Sequence, residues 1–200
     1  MTMRILRSAD YRIMPWKDGG GTTTEIYVAP EDAGLSGRPF DWRVSIADVA
    51  SDGPFSRFPG YDRHIMAIAG HGMVLDGGPD GPIDLSRKFA PQAFSGDWTV
   101  SGRLISGPVR DFNLIARRGR YDSLLEMHEA ASDLRLDAAA ATLLVHVLDG
   151  EVAASGHVLA ASETLILGPG ERTIAKPLAE RARLAVCRVT QRSSPPPRGP

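Results

Sequence analysis

The segment from Met14 to Ile26, MPWKDGGGTTTEI, contains residue types that could hold a small polar ligand. Trp16 offers a flat aromatic face, Lys17 offers a cation, and three threonines follow with their hydroxyls. Three successive glycines, Gly19–Gly21, lose much backbone entropy on folding, which favours a place where the backbone needs φ > 0 or approaches another group closely. The alternative interpretation is an ordinary turn between two strands, because glycine clusters often mark turns.

A second polar pattern lies on a predicted strand over residues 40–49, FDWRVSIADV. Side chains alternate between the two faces of a strand. Here Trp42, Val44 and Ile46 give one apolar face. The other face is mixed and carries Arg43, Ser45 and Ala47. A polar face is usually exposed to solvent, whereas in a closed barrel it lines the interior. In a barrel, Arg43 and Ser45 would therefore line a pocket.

A third pattern lies in residues 107–119, GPVRDFNLIARRG. Asp111 and Asn113 are two residues apart, so a strand here would place a carboxylate and an amide side by side on one face. Arg117 and Arg118 follow directly. In a barrel interior these charges would need partners, because buried charges are paired or bound to something.

The sequence contains no familiar catalytic or metal-binding motif. Its histidines, at positions 64, 71, 128, 146 and 157, form no H-x-H pair and give no 2-His-1-carboxylate framework. A phosphate-binding loop, a G-x-S-x-G elbow and a dinucleotide fingerprint are all absent. Cys187 lies in an apolar alternating run, which indicates a buried structural thiol. We therefore expect neither a metal nor a cofactor.

What remains is a set of binding groups suited to a small anionic or zwitterionic metabolite, which charge-assisted hydrogen bonds would hold. The predicted ligand-binding residues are Trp16, Lys17, Gly20, Thr22, Arg43, Ser45, Arg63, Asp111, Asn113 and Arg118. Binding is favoured over catalysis because the sequence shows no nucleophile or base poised by a partner. The alternative is a metal-independent isomerase, epimerase or hydrolase, with Asp111 or Glu25 as base and Lys17 as acid. A third hypothesis is an interaction protein whose strands are only a scaffold.

Composition excludes several other classes of function. The 200 residues carry a formal net charge of −1, and 42% are hydrophobic, as in an ordinary globular protein. Nucleic-acid binding would need a basic excess or stripe, so none is expected. No apolar run approaches the about 20 residues of a membrane helix, and the N-terminus lacks a signal-peptide core. The expected location is the cytoplasm, without membrane contact.

The element pattern predicts an all-β fold. Fifteen prolines and 21 glycines separate short runs rich in Val, Ile, Leu and Thr, which is typical of a sandwich or barrel. Two stretches repeat one outline of strand, tight glycine turn and strand: HIMAIAGHGMVLDGG and LLVHVLDGEVAASG. The repeat indicates a duplicated small barrel.

Four segments taken together resemble the HutD/Ves family of bacterial proteins. They follow the family's order: PWKDGGGTTTEI, WRVSIADVASDGPFSRFPGYDR, FSGD and GPVRDFNLIARRG. The resemblance implies a bicupin, with two RmlC-like jelly-roll β-barrels in one chain and without metal-binding cupin motifs. It also implies a role in histidine utilisation or in stress response, with no established catalytic activity. In histidine utilisation the implied role is regulatory, and the protein would bind an intermediate such as formylglutamate. The family commonly has Asn where this chain has Asp18, a change that adds a negative charge beside Lys17.

The predicted organisation has three parts. Residues 1–122 form an N-terminal cupin-like barrel with the candidate site, and residues 123–191 form a C-terminal one with a packed apolar core. Residues 192–200 form a disordered Pro-rich tail. A homodimer is expected by analogy with other cupins.

Overall fold

The computed structural model describes residues 3–17, 19–33 and 39–193, and the regular structure of these residues is almost entirely β-strand. Within them lie nineteen strands: β1 Arg4–Leu6, β2 Arg12–Pro15, β3 Gly21–Ala29, β4 Trp42–Val49, β5 Gly53–Pro54, β6 Tyr61–Ala69, β7 Met73–Asp76, β8 Ile83–Asp84, β9 Gln92–Ser95, β10 Ser101–Leu104, β11 Val109–Arg117, β12 Tyr121–Ala130, β13 Leu134–Asp137, β14 Thr142–Asp149, β15 Glu151–Ala154, β16 His157–Ala160, β17 Thr164–Leu167, β18 Arg172–Pro177 and β19 Ala182–Gln191. A single 3-10 turn spans Ser8–Asp10. The predicted all-β fold is confirmed. The predicted departure at Asp18, and residues 194–200 of the predicted tail, lie outside the described residues.

The strands form four antiparallel sheets. Their strand orders are β5-β10-β7-β8, β2-β3-β4-β11-β6-β9, β1-β17-β14-β19-β12 and β13-β18-β15-β16. We call them, in that order, the outer N-terminal, inner N-terminal, inner C-terminal and outer C-terminal sheets. Each order is linear, so none of these sheets closes on itself. Over the described residues, no helix is long and apolar enough to cross a membrane.

Three apolar clusters hold the sheets together as layers. The middle cluster joins the two inner sheets and includes Phe112 and Cys187, both fully buried. The C-terminal cluster fills the space between the inner and outer C-terminal sheets with aliphatic side chains such as Leu143 and Leu165. A smaller cluster, around Met73, fills only part of the space between the two N-terminal sheets. The rest of that space is where polar side chains meet.

The first strand crosses from one half of the molecule to the other. β1 precedes the N-terminal sheets in the chain, yet it pairs with β17 at the edge of the inner C-terminal sheet. Leu6 ends this strand and enters the middle cluster. The backbone N–H of Met3 donates to Glu171 Oε1 at 2.8 Å. The N-terminal residues therefore complete the C-terminal half.

We expect Leu6→Ala to lower the free energy of unfolding by about 2–3 kcal/mol, because a buried leucine leaves a cavity when it is truncated. The matched control is Ile13→Ala in β2, whose side chain is 69% exposed and should change stability by less than about 0.5 kcal/mol. Urea unfolding of both variants measures the difference. Equal effects would mean that β1 does not stabilise the fold through this contact.

Candidate functional site

A cavity of about 400 Å³ lies on the inner N-terminal sheet, on the face away from the middle cluster. We call it the N-terminal cavity. Its volume falls within the range of about 300–1,000 Å³ that is typical of small-molecule sites. Its lining residues are Pro15, Trp16, Lys17, Thr23, Arg43, Ser45, Ala47, Pro54, Phe55, Ser56, Phe58, Arg63, Asn113 and Ile115.

Two paired strands form the floor of the cavity. In the β4–β11 ladder, Asn113 lies opposite Ser45 and Ile115 lies opposite Arg43. Because side chains alternate along each strand, these four share one face of the sheet. Phe112 and its neighbours on the other face pack into the middle cluster. One strand pair thus supplies both a hydrophobic core and a polar floor.

Arg63, on β6, is the most constrained cation of the site. Its side chain is buried; Nη1 donates to the Ser56 carbonyl at 3.1 Å, and Nη2 donates to Asn113 Oδ1 at 3.1 Å. The guanidinium also lies over the ring of Phe94, 4.8 Å from its centroid. Burial lowers the pKa of Arg63 to about 10, so the group stays charged at neutral pH. Its Nε is buried without a hydrogen-bond partner among the described residues.

Arg43, on β4, is held mainly by aromatic faces. Its guanidinium lies 5.3 Å from the ring centroids of both Phe40 and Phe58. Burial lowers the pKa of Arg43, and nearby Glu25 opposes that shift. Its buried Nε also has no hydrogen-bond partner within the described part of the chain. Cations over aromatic faces keep their charge while their N–H donors can point toward a ligand.

Asp111 lies on the same face of β11 as Asn113, but it does not line the cavity. It is fully buried, and its Oδ1 accepts a hydrogen bond from Asn113 Nδ2. Burial raises the pKa of this carboxyl to about 7, while Arg63 and the Asn113 hydrogen bond pull it down. Asn113 therefore bridges a buried acid and a cavity cation.

The glycine-rich segment forms one wall. Gly19 has φ +74°, and its N–H donates to the Trp16 carbonyl at 3.1 Å, which closes a tight turn. The Trp16 indole N–H donates to Thr23 Oγ1 at 2.9 Å, so the ring lies along β3. Gly21 makes this possible: an added Cβ would lie 3.1 Å from the Trp16 ring and 2.2 Å from the Asp48 carbonyl oxygen. Lys17 is exposed at the rim.

The structure brings together most, but not all, of the predicted ligand-binding residues. Six of them line the N-terminal cavity: Trp16, Lys17, Arg43, Ser45, Arg63 and Asn113. Asp111 is buried beside Asn113 and does not line the cavity. Gly20 and Thr22 lie near the site without lining it; the cavity instead receives Thr23.

Arg118 lies outside the cavity, in an exposed ion-pair network. Its guanidinium contacts Asp62 Oδ1 at 2.6 Å and Asp97 Oδ2 at 2.5 Å. It also donates to the Tyr61 carbonyl at 2.8 Å. This arginine follows the end of β11, so the strand alternation that orients Asn113 no longer applies to it. Its role here is to tie β6 to the turn after β9.

Sequence reasoning missed the aromatic wall. Phe55 and Phe58 line the cavity and flank the two arginines. The available signal was the segment SDGPFSRFPGYDR, in which aromatics alternate with Pro/Gly turns. That pattern is typical of an ordered loop, but only the fold shows that the loop lines the same cavity as the polar floor. In the portion of the chain that is described, no group of three or more His, Cys, Asp or Glu side chains could hold a metal ion.

The fold and the cavity define an all-β protein of the cupin-like class. Oxalate decarboxylase from Bacillus subtilis superposes with a TM-score of 0.65 at 8% identity, over 96% of this chain and 78% of that chain. At so low an identity the match shows the fold alone.

Sequence comparison makes the assignment specific: this chain belongs to the HutD family, whose model matches residues 8–186. It is 43% identical over 158 residues to the uncharacterized 21.2 kDa protein in the hutC 3′ region of Pseudomonas putida, covering 78% of this chain and 76% of that protein. HutD from Pseudomonas fluorescens SBW25, solved in a formate condition, matches with a TM-score of 0.82 at 37% identity, over 96% of this chain and all of that one. Protein Ves of Citrobacter koseri is 38% identical over 115 residues, 56% of this chain and 58% of Ves. The predicted HutD/Ves membership is confirmed.

Proposed function

We propose that this HutD-family protein binds a small carboxylate-bearing metabolite in the N-terminal cavity and acts as a regulatory component of histidine utilisation. The ligand is formylglutamate or a related anionic or zwitterionic intermediate. The observation that carries the proposal is a cavity of about 400 Å³ lined by two arginines, the half-buried Arg43 and the buried Arg63. Arginine forks match carboxylates and bind them with two parallel hydrogen bonds.

The polar groups of the cavity support a binding role. Arg63 is already oriented by Ser56 and Asn113, so little side-chain entropy is lost when an anion arrives. Ser45 and Thr23 add hydroxyls at the floor and wall. Phe55 and Phe58 flank the two arginines, and an apolar surrounding strengthens charged contacts. The names of two relatives, one in a hutC 3′ region and one called HutD, favour the histidine-utilisation context for the ligand.

Binding is favoured over the enzyme alternative by the position of the acids. Glu25 does not line the cavity and pairs with Arg12 at 3.2 Å. Asp111 is fully buried, so a substrate in the cavity does not reach its carboxylate. A general base must lie within hydrogen-bond reach of the proton that it removes. Incubation with each candidate metabolite should therefore leave that metabolite unchanged by mass spectrometry.

The proposed architecture is a bicupin of two jelly-roll units, residues 1–122 and 123–191. Each inner sheet faces one outer sheet across an apolar cluster, which supports two sandwiches of similar design. β1 would then be exchanged into the second unit. We also expect a homodimer, which sedimentation would test.

A thermal-shift screen with histidine, urocanate, formylglutamate and glutamate tests the ligand. At a hundredfold excess over its Kd, a ligand should stabilise the fold by about 2.7 kcal/mol. Arg43→Met keeps the apolar stem and removes the charge, and should weaken binding about 30-fold, equivalent to about 2 kcal/mol.

Arg103→Met is the matched control, because that arginine is 60% exposed and does not line the cavity. It should bind like the wild type. Equal binding by Arg43→Met and the wild type would remove Arg43 from the site. No shift with any of the four metabolites would contradict the proposed ligand class.

A further inference from the structure

Three side chains link the N-terminal cavity to a buried acid on the same face of the inner N-terminal sheet. Arg63 lines the cavity and donates to Asn113 Oδ1, and Asn113 donates through Nδ2 to Asp111 Oδ1. All three are buried, with 5%, 4% and 0% of their surfaces exposed, respectively. Asp111 Oδ2 is buried and has no hydrogen-bond partner among the described residues. An acid placed this way can accept a proton on its free oxygen without breaking its bond to Asn113.

We propose that Asp111 is a positioning residue that takes up one proton when an anionic ligand binds beside Arg63, so that ligand affinity rises as the pH falls. This inference rests on the proposed function. Asp111 does not touch the ligand; it acts through Asn113 and Arg63. The proton comes from solvent and is carried on Oδ2, and no bond other than that O–H is formed.

The charges around Asp111 give the direction of this coupling. Burial raises its pKa to about 7, Arg63 of β6 and the Asn113 hydrogen bond oppose the rise, and Asp48 of β4 adds to it. Asp48 is itself paired with Arg110 at 2.7 Å. The charge of Arg43, on β4, lowers the pKa of Arg63. An anion beside Arg63 compensates the charge that stabilises the Asp111 carboxylate. Protonation then becomes more favourable, and by reciprocity a proton on Asp111 favours the anion.

The test is calorimetry of the full chain with N-formyl-L-glutamate at pH 6, 7 and 8, in two buffers of different ionisation enthalpy. The carboxylates of the probe titrate near pH 4, so they contribute nothing in this window. Wild-type Kd should rise by about tenfold from pH 6 to pH 8, with net proton uptake near pH 7. Asp111→Asn should bind at pH 8 about as well as the wild type does at pH 6, with a flat profile. A merely structural Asp111 would not change the proton count.

Asp97→Asn is the control, because Asp97 lies in the exposed network around Arg118, and it should keep the wild-type pH profile. If Asp111→Asn does not fold, proton uptake by the wild type alone decides the matter. Binding without proton uptake, or with equal profiles in the wild type and Asp111→Asn, overturns this inference and leaves the proposed function standing. No binding of any of the four metabolites at any pH overturns both.

Discussion

Gly21→Ala is expected to lower the free energy of unfolding by about 3 kcal/mol and to open the wall of the N-terminal cavity, because the added methyl group has no room. An ideal Cβ at Gly21 lies 2.2 Å from the Asp48 carbonyl oxygen on β4. Backbone cannot move aside as a flexible side chain can, so β3 and β4 must separate. The same Cβ lies 3.1 Å from the Trp16 ring, which would leave its position against Thr23.

Urea unfolding and formylglutamate affinity measure the two effects separately. Gly53→Ala is the matched control, because Gly53 also lies in a strand but an added Cβ meets nothing within 4 Å. It should change stability by less than about 0.5 kcal/mol. Trp16→Leu separates the loss of the cavity wall from the displacement of the β3 and β4 backbones. It should weaken ligand binding without the stability loss expected of Gly21→Ala. Similar stability in the two glycine variants would contradict the close approach of β3 to β4.

The floor of the site could be predicted from the sequence because strand alternation is a local property. A period of two is enough to place Arg43 and Ser45 on one face of β4, and Asn113 on one face of β11. Only the β4–β11 pairing shows that the two faces are the same. The threonine run could not be assigned to faces in the same way, because three identical residues, Thr22, Thr23 and Thr24, show no alternation of polar and apolar side chains. Only the pairing of Thr23 with Ala47 shows which hydroxyl faces the cavity.

Non-local pairing accounts for most of what sequence reasoning could not supply. β12 reads YDSLLEMHEA and is rich in helix-forming residues such as Leu, Glu, Met and Ala. It is nevertheless a ten-residue strand, because it pairs along its whole length with β19. β1 pairs with β17, about 160 residues away in the chain, and no local pattern predicts such a partner.

The prediction that Arg118 binds the ligand shows what closeness in sequence cannot establish about charged residues. Two adjacent arginines end the segment 107–119, and their proximity to Asp111 in the sequence indicated a shared site. Asn113 turns inward, while Arg118 finds Asp62 and Asp97 on the surface. An arginine that follows the end of a strand is free to pair with exposed acids. The sequence alone does not show where those acids lie.

The pH dependence of stability is the second large effect, and it concerns the protein without ligand. The pKa of Asp111 is about 7 in the folded protein, against an ordinary value of 3.8. Between those pH values the folded protein binds more protons than the unfolded chain, so its stability falls as the pH rises. The contribution is fully present below about pH 4 and is lost above about pH 7.

The expected size follows from the width of this window. At about 1.4 kcal/mol for each pH unit, the wild type should lose roughly 4 kcal/mol relative to Asp111→Asn between pH 4 and pH 8. Asp111→Asn keeps the shape of the side chain and cannot ionise, so subtracting the two unfolding curves removes every other titrating group. Chemical unfolding at five or six pH values provides the measurement.

Asp97 provides a control of opposite sign. Its hydrogen bonds from Arg118 and from the Gly60 N–H lower its pKa to about 2, so its contribution is present above its unfolded pKa of about 4 and is lost as the pH falls toward 2. The difference between wild type and Asp97→Asn should therefore change only at acidic pH, whereas the difference for Asp111→Asn should grow toward neutral pH. A flat difference curve for Asp111→Asn would mean that the acid is ionised in the fold at pH 5, which requires a partner for Oδ2. In that case Asp111 would already be ionised at neutral pH. Ligand binding beside Arg63 would then not be accompanied by proton uptake at Asp111.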